Sequence, residues 1–238
     1  MFYTSTEFHY PKPLIDVVGQ PMIQRVVEAL MAARFEKRFL FVVNEADTKK
    51  FHIDRVLRLI VGNDGVVIEQ PGESKGALPS CLLLIDQLEP ETPLLVSNSD
   101  QVVDIDFDEM LDFFQSNNAD AGCVTFRSVH PQWSYVAFDE RGYIAEAAEK
   151  KPISNHAVAG LYYFAKAKYF ISAAIRAIEK GSVTGDRFYI SSTFNELILD
   201  GRKILAREIE PSKYHSFYSP EMLSKYIDRM GPKWAMSA

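Results

Sequence analysis

The chain has 238 residues, of which 47% are hydrophobic and 24% are charged, and its formal net charge at neutral pH is −6. A globular chain of this length buries a sizeable core without disulfides or structural metals. The acidic balance argues against a nucleic-acid-binding protein, which carries a basic surface. Cys81 and Cys123 are the only cysteines, and without the paired spacing of a metal site they indicate a reducing compartment.

The sequence contains no apolar run of about 18 residues, and its N-terminus lacks the basic-then-apolar layout of a signal peptide. We therefore predict a cytoplasmic protein that has neither a membrane nor a nucleic acid as partner. The sequence says little about oligomeric state, and a homo-oligomer stays open.

Apolar runs typical of buried strands alternate with helical patterns in the first half of the chain. Pro21 suits a first helical position, and apolar residues follow it at helical spacing as far as Leu30. Asp106 and Glu109 have the spacing of a capping box, which predicts that a helix begins there. Because continuous apolar strands that alternate with helices form parallel sheets, we predict a mostly parallel central sheet flanked by helices. The other helices are expected at 48–61 and within 77–88, and the strands at 39–43, 66–69 and 93–99.

The second half of the chain has a different texture, with strand patterns that lie close together. A turn at 139–142 is expected to join two of them as a hairpin, which indicates antiparallel pairing. Ser219 and Pro220 supply an N-cap and a first-turn proline for a last helix. No repeat or long linker separates the halves, so we predict one α/β domain over 1–238. The strands are expected at 121–128, 133–139, 143–150 and 156–165.

Polar loops lie where ligands bind in open α/β sheets, beyond the carboxyl ends of the strands. In the first loop, Lys12 stands between Pro11 and Pro13, which restrict its backbone. A preset ammonium group suits electrostatic catalysis, because it needs no reorganisation during the reaction. An exposed loop lysine is the other interpretation, and this segment alone does not decide between them.

The second loop runs over 69–77. Its Gly72 and Gly76 permit close approach to the backbone, and Gln70 carries a donor and an acceptor that can pair with a base edge. The loop is not a Walker A motif, and the chain also lacks GxGxxG. Taken alone, a plain turn before a helix is the simpler interpretation.

The third loop, at 98–101, follows an apolar strand. Asp100 stands there in a good position to hold Mg²⁺ between phosphate oxygens. For Asp106 and Asp108, which follow shortly after, we prefer capping and helix-dipole roles. None of the five histidines lies at metal-ligand spacing from another, and we assign none to chemistry.

In combination these loops resemble the sugar-phosphate nucleotidyltransferases, specifically the branch that makes precursors of capsule and surface polysaccharides. The resemblance rests on six stretches that occur in the family's order and cover most of the chain. They are PKPLIDVVGQPMIQRVVEAL, EQPGESKGALPSCLLL, PLLVSNSDQVVDID, WSYVAFDERGYIAEAAEKKPIS, AVAGLYYF and FYISSTFNELI.

The resemblance implies roles for residues in the first half, about 1–118, as the nucleotide-binding half. Lys12 looks like the lysine that neutralises the NTP phosphates, and Gln70 and Gly76 look like base-recognition positions. Ser99 is assigned to nucleotide binding beside Asp100, which looks like the principal Mg²⁺ ligand. The implied fold is Rossmann-like, with an antiparallel substrate-binding portion.

In the substrate-binding half, about 119–238, Glu149 and Lys150 look like the pair that contacts the second substrate, with Lys150 on its phosphate. Gly160 looks like a glycine that lines the pocket, and Asn195 lies in a motif near it. Without the resemblance, the Glu149–Lys150 segment is more simply interpreted as a solvated turn.

The implied reaction joins an NTP to a small phosphorylated substrate, with a sugar phosphate expected, and releases pyrophosphate. The attacking phosphate is already ionised, so no general base is required. Both reactants are anions, and Lys12, Lys150 and a Mg²⁺ ion on Asp100 would offset their repulsion and align them. We expect Lys12, Asp100 and Lys150 to be the catalytic residues, gathered around one cavity.

Two departures from the family pattern alter these expectations. Family members begin with a central strand and a Gly-rich loop that ends in arginine, whereas this chain starts at Met1-Phe2-Tyr3, where that loop should finish. We expect neighbouring strand groups to lack a partner and the 238-residue chain to show little or no turnover. Near the C-terminus, the segment 217–223 stands where relatives carry a Gly-Thr-Pro-Glu-like turn, and His215 and Ser216 stand where some carry a second metal-binding aspartate just before it.

Two other functions remain open from the sequence. A GT-A-type glycosyltransferase would also need an acidic metal site after a strand, but its acceptor has no phosphate for Lys12 and Lys150 to neutralise. A binding or regulatory homologue without catalysis would follow from the missing N-terminal loop.

Overall fold

The computed structural model of the chain describes residues 9–62 and 65–234. Met1-Phe2-Tyr3, to which the expectation of a missing strand and loop refers, lies outside the described residues. The first half contains β1 (Asp16–Val17), β2 (Gln20–Pro21), α1 (Met22–Met31), β3 (Leu40–Asn44), α2 (Glu45–Phe51), α3 (Ile53–Val61), β4 (Val66–Gln70), α4 (Ala77–Leu82), β5 (Leu94–Ser97), β6 (Gln101–Val103) and α5 (Phe107–Ser116). The second half contains β7 (Ala121–Arg127), β8 (Ser134–Phe138), β9 (Ile144–Glu149), β10 (His156–Phe164), α6 (Ala167–Glu179), α7 (Ser192–Leu199), β11 (Ile204–Ile209), β12 (Tyr214–Ser216) and α8 (Pro220–Trp234).

Local sequence signals account for most of the helices. Apolar side chains of α1 lie buried at helical spacing, as the periodicity predicts. The Asp106 carboxylate accepts from the Glu109 N–H at 3.0 Å, which confirms it as the N-cap of α5. The single helix expected at 48–61 was wrong, because His52 adopts a left-handed conformation with φ of 54° and divides it into α2 and α3.

A six-stranded sheet forms the centre of the fold, in the order β11-β7-β10-β8-β9, with β5 also paired to β10. The strand β10 is nine residues long, and all of it after His156 is buried. One edge of β10 pairs with β7. Along its other edge, Ala157 pairs with Tyr135 of β8, whereas Leu161 pairs with Ser97 of β5. This one strand therefore joins the two halves of the chain.

The sheets are less parallel than the sequence predicted. Among the described strands, β3 with β4 and β7 with β11 pair in parallel, and the other pairs are antiparallel. The alternation of strands and helices in the first half was predicted correctly, but alternation does not reveal which strands become neighbours. The β3–β4 pair forms its own two-stranded sheet, and β5 pairs antiparallel with β10. The mixed α/β class with an antiparallel second half is confirmed.

Helices cover both faces of the central sheet. One apolar cluster lies between the sheet and α6 and α7, and a second includes Phe114 of α5 stacked on Tyr163 of β10 with ring centroids 5.0 Å apart. A third cluster joins α1, α3 and α8. Cys81 and Cys123 are free thiols, and burial raises the pKa of Cys81 to about 11. Within the described ranges, the helices are too short or too polar to cross a membrane.

The loop between β4 and α4 is tied to the chain segment ahead of α7. The Phe188 N–H donates to the Lys75 carbonyl at 2.7 Å, and the Leu78 N–H donates to the Phe188 carbonyl at 3.4 Å. Gly76 lies between these contacts with φ of 119°, and a Cβ there would be 2.2 Å from the Phe188 oxygen. Only glycine fits this crossing of two backbones.

We predict that Gly76→Ala lowers the free energy of unfolding by about 2–4 kcal/mol, because a methyl group would collide with backbone that has no room to move. Gly72→Ala is the matched control in the same loop, since φ is 66° there but nothing lies within 4 Å of the added Cβ. Gly72→Ala should lower the free energy of unfolding by only about 1 kcal/mol, because only the left-handed backbone conformation opposes the alanine. Urea unfolding of both variants measures the difference, and equal losses would contradict this account.

Candidate active site

The backbone of Lys12 is fixed in a turn, and its ammonium group forms an ion pair. The residue begins a short 3₁₀ turn, Lys12–Leu14, in which the Leu14 N–H donates to the Pro11 carbonyl at 2.8 Å. Its ammonium group donates to the Asp100 carboxylate at 2.5 Å, and each of these side chains is 25% exposed. Two of the predicted catalytic residues, 88 positions apart in sequence, are therefore in direct contact.

Asp100 is held in place by a hydrogen bond of its own backbone and by a side-chain hydrogen bond of the next residue. Its own carbonyl accepts from the Phe217 N–H at 2.8 Å, which ties it to the segment after β12. The next residue, Gln101, is buried and donates through its amide to the Ala159 carbonyl. The loop that carries the carboxylate is thus packed against β10.

Gly160 explains how β10 and this loop come so close. Its φ is 60°, and a Cβ there would lie 2.3 Å from the Asn98 amide nitrogen and 2.4 Å from the Gln101 amide oxygen. Its carbonyl accepts from the Asn98 N–H at 3.0 Å. This glycine also marks the place where the partner of β10 changes from β8 to β5. Its packing role is clear from these contacts, and a role in lining a substrate pocket stays a prediction.

The side-chain amide of Gln70 forms hydrogen bonds with its own loop and with α4. Its oxygen accepts from the Ser80 hydroxyl at 2.6 Å, and its nitrogen donates to the Gly72 carbonyl at 3.4 Å. Pairing with a base would require the amide to exchange these partners. Base recognition by Gln70 and Gly76, and nucleotide binding by Ser99, stay predictions.

Glu149 and Lys150 lie at the end of β9. One oxygen of the Glu149 carboxylate accepts from the Ser134 hydroxyl and, at 3.1 Å, from the Ser191 hydroxyl. Burial raises the pKa of Glu149 above its ordinary value, and the two serine hydrogen bonds offset part of that rise. A ligand that changed the burial of this carboxyl group or its hydrogen bonds would therefore also change its pKa.

Lys150 turns sharply away from the strand. Its φ is 55°, and its N–H donates to the Trp133 carbonyl at 3.0 Å. Its ammonium group lies over the Tyr189 ring, 5.2 Å from the centroid. A side-chain hydrogen bond with Tyr189 is the main cause that raises the pKa of Lys150 above its ordinary value.

Asn195 clamps the strand that carries this pair. Its amide oxygen accepts from the Ala147 N–H and its amide nitrogen donates to the Ala147 carbonyl, both at 2.9 Å. Since both polar ends are used in this way, the observed role of Asn195 is to position β9. Direct contact with a substrate stays a prediction.

Tyr218 connects the two groups of charged residues. The Lys12 ammonium lies 5.3 Å from the centroid of its ring, and Tyr218 also contributes to the raised pKa of Lys150. The structure therefore brings Lys12 and Asp100 together directly, with Tyr218 within electrostatic reach of Lys150. A separate surface groove is lined by Gln24, Glu28, Met31, Val56, Leu59 and Ile60. Because this lining includes none of the residues above and no positively charged side chain, the groove is not the candidate site.

Sequence reasoning missed four residues of this region. Ser134 lies opposite Glu149 only because the register of the β8–β9 hairpin shifts between Ala137 and Phe138; a regular hairpin with its turn at 139–142 would place Ala147 there. No local pattern distinguishes Ser191, Tyr189 or Tyr218, whose positions depend on long-range packing.

The chain matches the family described as Nucleotidyl transferase over residues 7–230. It is 29% identical over 167 residues to the mannose-1-phosphate guanylyltransferase catalytic subunit beta of Danio rerio, and 26% identical over 160 residues to the mannose-1-phosphate guanyltransferase of Gibberella zeae. The first match covers 66% of this chain and 44% of the relative, and the second covers 65% and 43%. The chain thus spans less than half the length of the curated relatives it matches.

Two solved structures are similar in fold. The nucleoside-diphosphate-sugar pyrophosphorylase from Vibrio cholerae RC9 has a TM-score of 0.79 and 20% identity, and the match covers 94% of each chain. HddC from Yersinia pseudotuberculosis has a TM-score of 0.66 and 17% identity, and the match covers 92% of this chain and 90% of HddC. These similarities confirm the predicted Rossmann-like α/β fold.

Because the family match extends over nearly all of it, the chain belongs to the nucleotidyl transferase family. The resemblance to sugar-phosphate nucleotidyltransferases that the sequence stretches indicated is thereby confirmed.

We predict that Glu149→Gln stabilises the protein more at pH 8 than at pH 4. A carboxyl group whose pKa is raised in the folded state makes folding less favourable as pH rises from its ordinary pKa through the raised value. Glutamine stays neutral, so the variant escapes this loss while keeping an oxygen for Ser134 and Ser191. Urea unfolding at both pH values measures it, with Glu146→Gln, exposed on the same strand, as the control for losing a surface charge. If Glu149→Gln changes the free energy of unfolding by the same amount at both pH values, the raised pKa of Glu149 is contradicted.

Proposed function

We propose that this chain transfers a nucleoside monophosphate from an NTP to a small phosphorylated substrate and releases pyrophosphate. The observation that carries the proposal is the contact between the Lys12 ammonium and the Asp100 carboxylate, with Tyr218 against Lys12 and within electrostatic reach of Lys150. The similarity to guanylyltransferases named for mannose 1-phosphate supports a sugar 1-phosphate as the second substrate.

The proposed chemistry depends on neutralising charge. A phosphate oxygen of the second substrate attacks the α-phosphorus of the NTP, and pyrophosphate leaves from the opposite side. Lys12 binds the NTP phosphates and Lys150 binds the phosphate of the second substrate, which offsets the repulsion between two polyanions and orients them. The attacking oxygen already carries negative charge, so the site needs no histidine as a base.

Asp100 fits a Mg²⁺ ion that arrives with the NTP. Among the described residues, no cluster of three or more acidic, histidine or cysteine side chains is arranged to hold a metal by itself. Mg²⁺ commonly binds through one or two carboxylates together with waters and substrate phosphates, so a single carboxylate suffices. When bound, the ion would withdraw charge from the α-phosphate and the leaving pyrophosphate.

Glu149 supports a second substrate that carries hydroxyl groups. Its carboxylate is fixed at one oxygen by Ser134 and Ser191, and carboxylates accept hydrogen bonds from sugar hydroxyls. With Lys150 next to it in sequence, the pair would bind a hydroxylated group and its phosphate together. We further infer an NDP-sugar product used for surface polysaccharide precursors, made in the cytoplasm.

A GT-A-type glycosyltransferase and a binding homologue without catalysis remain the alternatives. The first would release an NDP from a nucleotide sugar, and it has no use for a second lysine beside Glu149. The second would bind an NTP, visible as a thermal shift, without releasing pyrophosphate.

We predict that pyrophosphate release requires both an NTP and a sugar 1-phosphate, and that Asp100→Asn and Lys150→Met each lower kcat/KM by about 10²–10³-fold. A coupled assay that screens the four common NTPs against mannose and glucose 1-phosphates measures this. The same assay tests the sequence expectation of low turnover, so it needs a high protein concentration.

The matched controls are Asp106→Asn, because asparagine also caps a helix, and Lys166→Met, a surface lysine paired with Glu91. Both should keep the activity of the parent chain. NDP release from a nucleotide sugar, or an NTP-induced thermal shift without pyrophosphate, would overturn the proposal in favour of one of the alternatives.

We predict that Lys12→Met strengthens the binding of Mn²⁺, used in place of Mg²⁺, about three- to tenfold when no nucleotide is present. The ammonium group occupies the carboxylate oxygen that a cation would bind, and its charge repels the ion. Titration followed by electron paramagnetic resonance measures free Mn²⁺ directly. Asp100→Asn in the Lys12→Met background should abolish the gain, whereas an unchanged affinity in Lys12→Met alone would show that Lys12 does not guard the carboxylate.

A further inference from the structure

Each of the two lysines at the candidate site lies over the face of a tyrosine ring. The Lys12 ammonium is 5.3 Å from the centroid of Tyr218, and the Lys150 ammonium is 5.2 Å from the centroid of Tyr189. Both distances are within the range in which a ring attracts a cation. The two lysines come from opposite halves of the chain, whereas both tyrosines come from the second half.

The backbones of both tyrosines are held by contacts that do not involve the lysines. The Tyr218 N–H donates to the Ser216 hydroxyl at 3.1 Å, directly after the Phe217 N–H has bonded to Asp100. The Tyr189 carbonyl accepts from both the hydroxyl and the N–H of Ser192, at 2.7 and 3.2 Å. The backbone position of each tyrosine is therefore set independently of its lysine.

A ring suits these positions better than a carboxylate would. A carboxylate would hold the ammonium strongly and would add negative charge where two polyanions must meet. A cation–π contact provides about 0.5–2 kcal/mol, which restricts a long lysine chain and still lets the ammonium bind a phosphate. This matters most for Lys12, because a metal ion on Asp100 would deprive it of its ion pair.

We propose that Tyr218 and Tyr189 are positioning residues, each of which presents one lysine to one reactant. Tyr218 directs Lys12 to the NTP, and Tyr189 directs Lys150 to the phosphate of the second substrate. The assignment rests on the proposed nucleotidyltransfer for its kinetic consequence, but the pairing of ring and lysine does not.

The kinetic test is a crossed comparison of KM values. Tyr218→Leu should raise KM for the NTP about two- to tenfold and leave KM for the sugar 1-phosphate within about twofold, and Tyr189→Leu should do the reverse. Tyr218→Phe keeps its ring and should stay within about threefold of the parent values, whereas Tyr189→Phe also removes the hydroxyl that hydrogen-bonds to Lys150 and should lie between the parent and Tyr189→Leu. Adding Tyr218→Leu to Lys12→Met should cost nothing further, because the ring acts through the lysine. Equal effects of both leucine variants on both KM values, or none, would overturn the proposal.

A second readout keeps the pairing testable if the parent chain releases no pyrophosphate, an outcome that would defeat the proposed function alone. Reductive methylation with ¹³C-formaldehyde keeps the lysine charge and gives a resonance for each lysine. The Lys12 and Lys150 resonances should be displaced upfield by the rings. Each displacement should disappear only in the leucine variant of its own tyrosine, with thermal unfolding as the check on folding. Displacements that survive in Tyr218→Leu and Tyr189→Leu would overturn the pairing.

Discussion

The exchange of partners along β10 is the constraint on which the site depends. Its first residues pair with the hairpin that carries Glu149 and Lys150, and its last residues pair with the strand that leads to Asp100. Gly160 lies at the change, in a backbone conformation and a space that exclude any side chain. Without that exchange, the two parts of the site would belong to separate sheets.

Electrostatics then explains the choice of residues around this junction. In the free protein the positive charge of Lys12 is balanced by Asp100, and the rings of Tyr218 and Tyr189 lie beneath the two ammonium groups. The arrangement keeps both cations at the site, Lys12 with a carboxylate and an aromatic partner and Lys150 with an aromatic one. Such preorganisation is what a reaction between two anions requires, since little rearrangement is left for the moment of transfer.

The sequence revealed the parts of this design that local chemistry encodes. Lys12 between prolines and Asp100 after an apolar strand could be found because strand ends gather ligands, and their contact agrees with that rule. The neighbours of β5 and the clamp of Asn195 on Ala147 could not, because both depend on long-range packing, and no recognised turn signal marked the break at His52. The central sheet has fewer parallel pairs than expected because of the same long-range packing.

The crossing of Gly76 with Phe188 has a thermodynamic consequence. Phe188 is joined by one peptide bond to Tyr189, whose ring supports Lys150, and Phe188 also bonds to the loop that Gln70 begins. If this loop binds the nucleotide and Lys150 the second substrate, as proposed, a ligand that displaces the loop would also shift the support of Lys150. Occupancy of one subsite would then change affinity at the other, and by linkage the effect would be equal in both directions. The close contact of Gly76 with Phe188, which has no room for a methyl group, would be the route of that coupling.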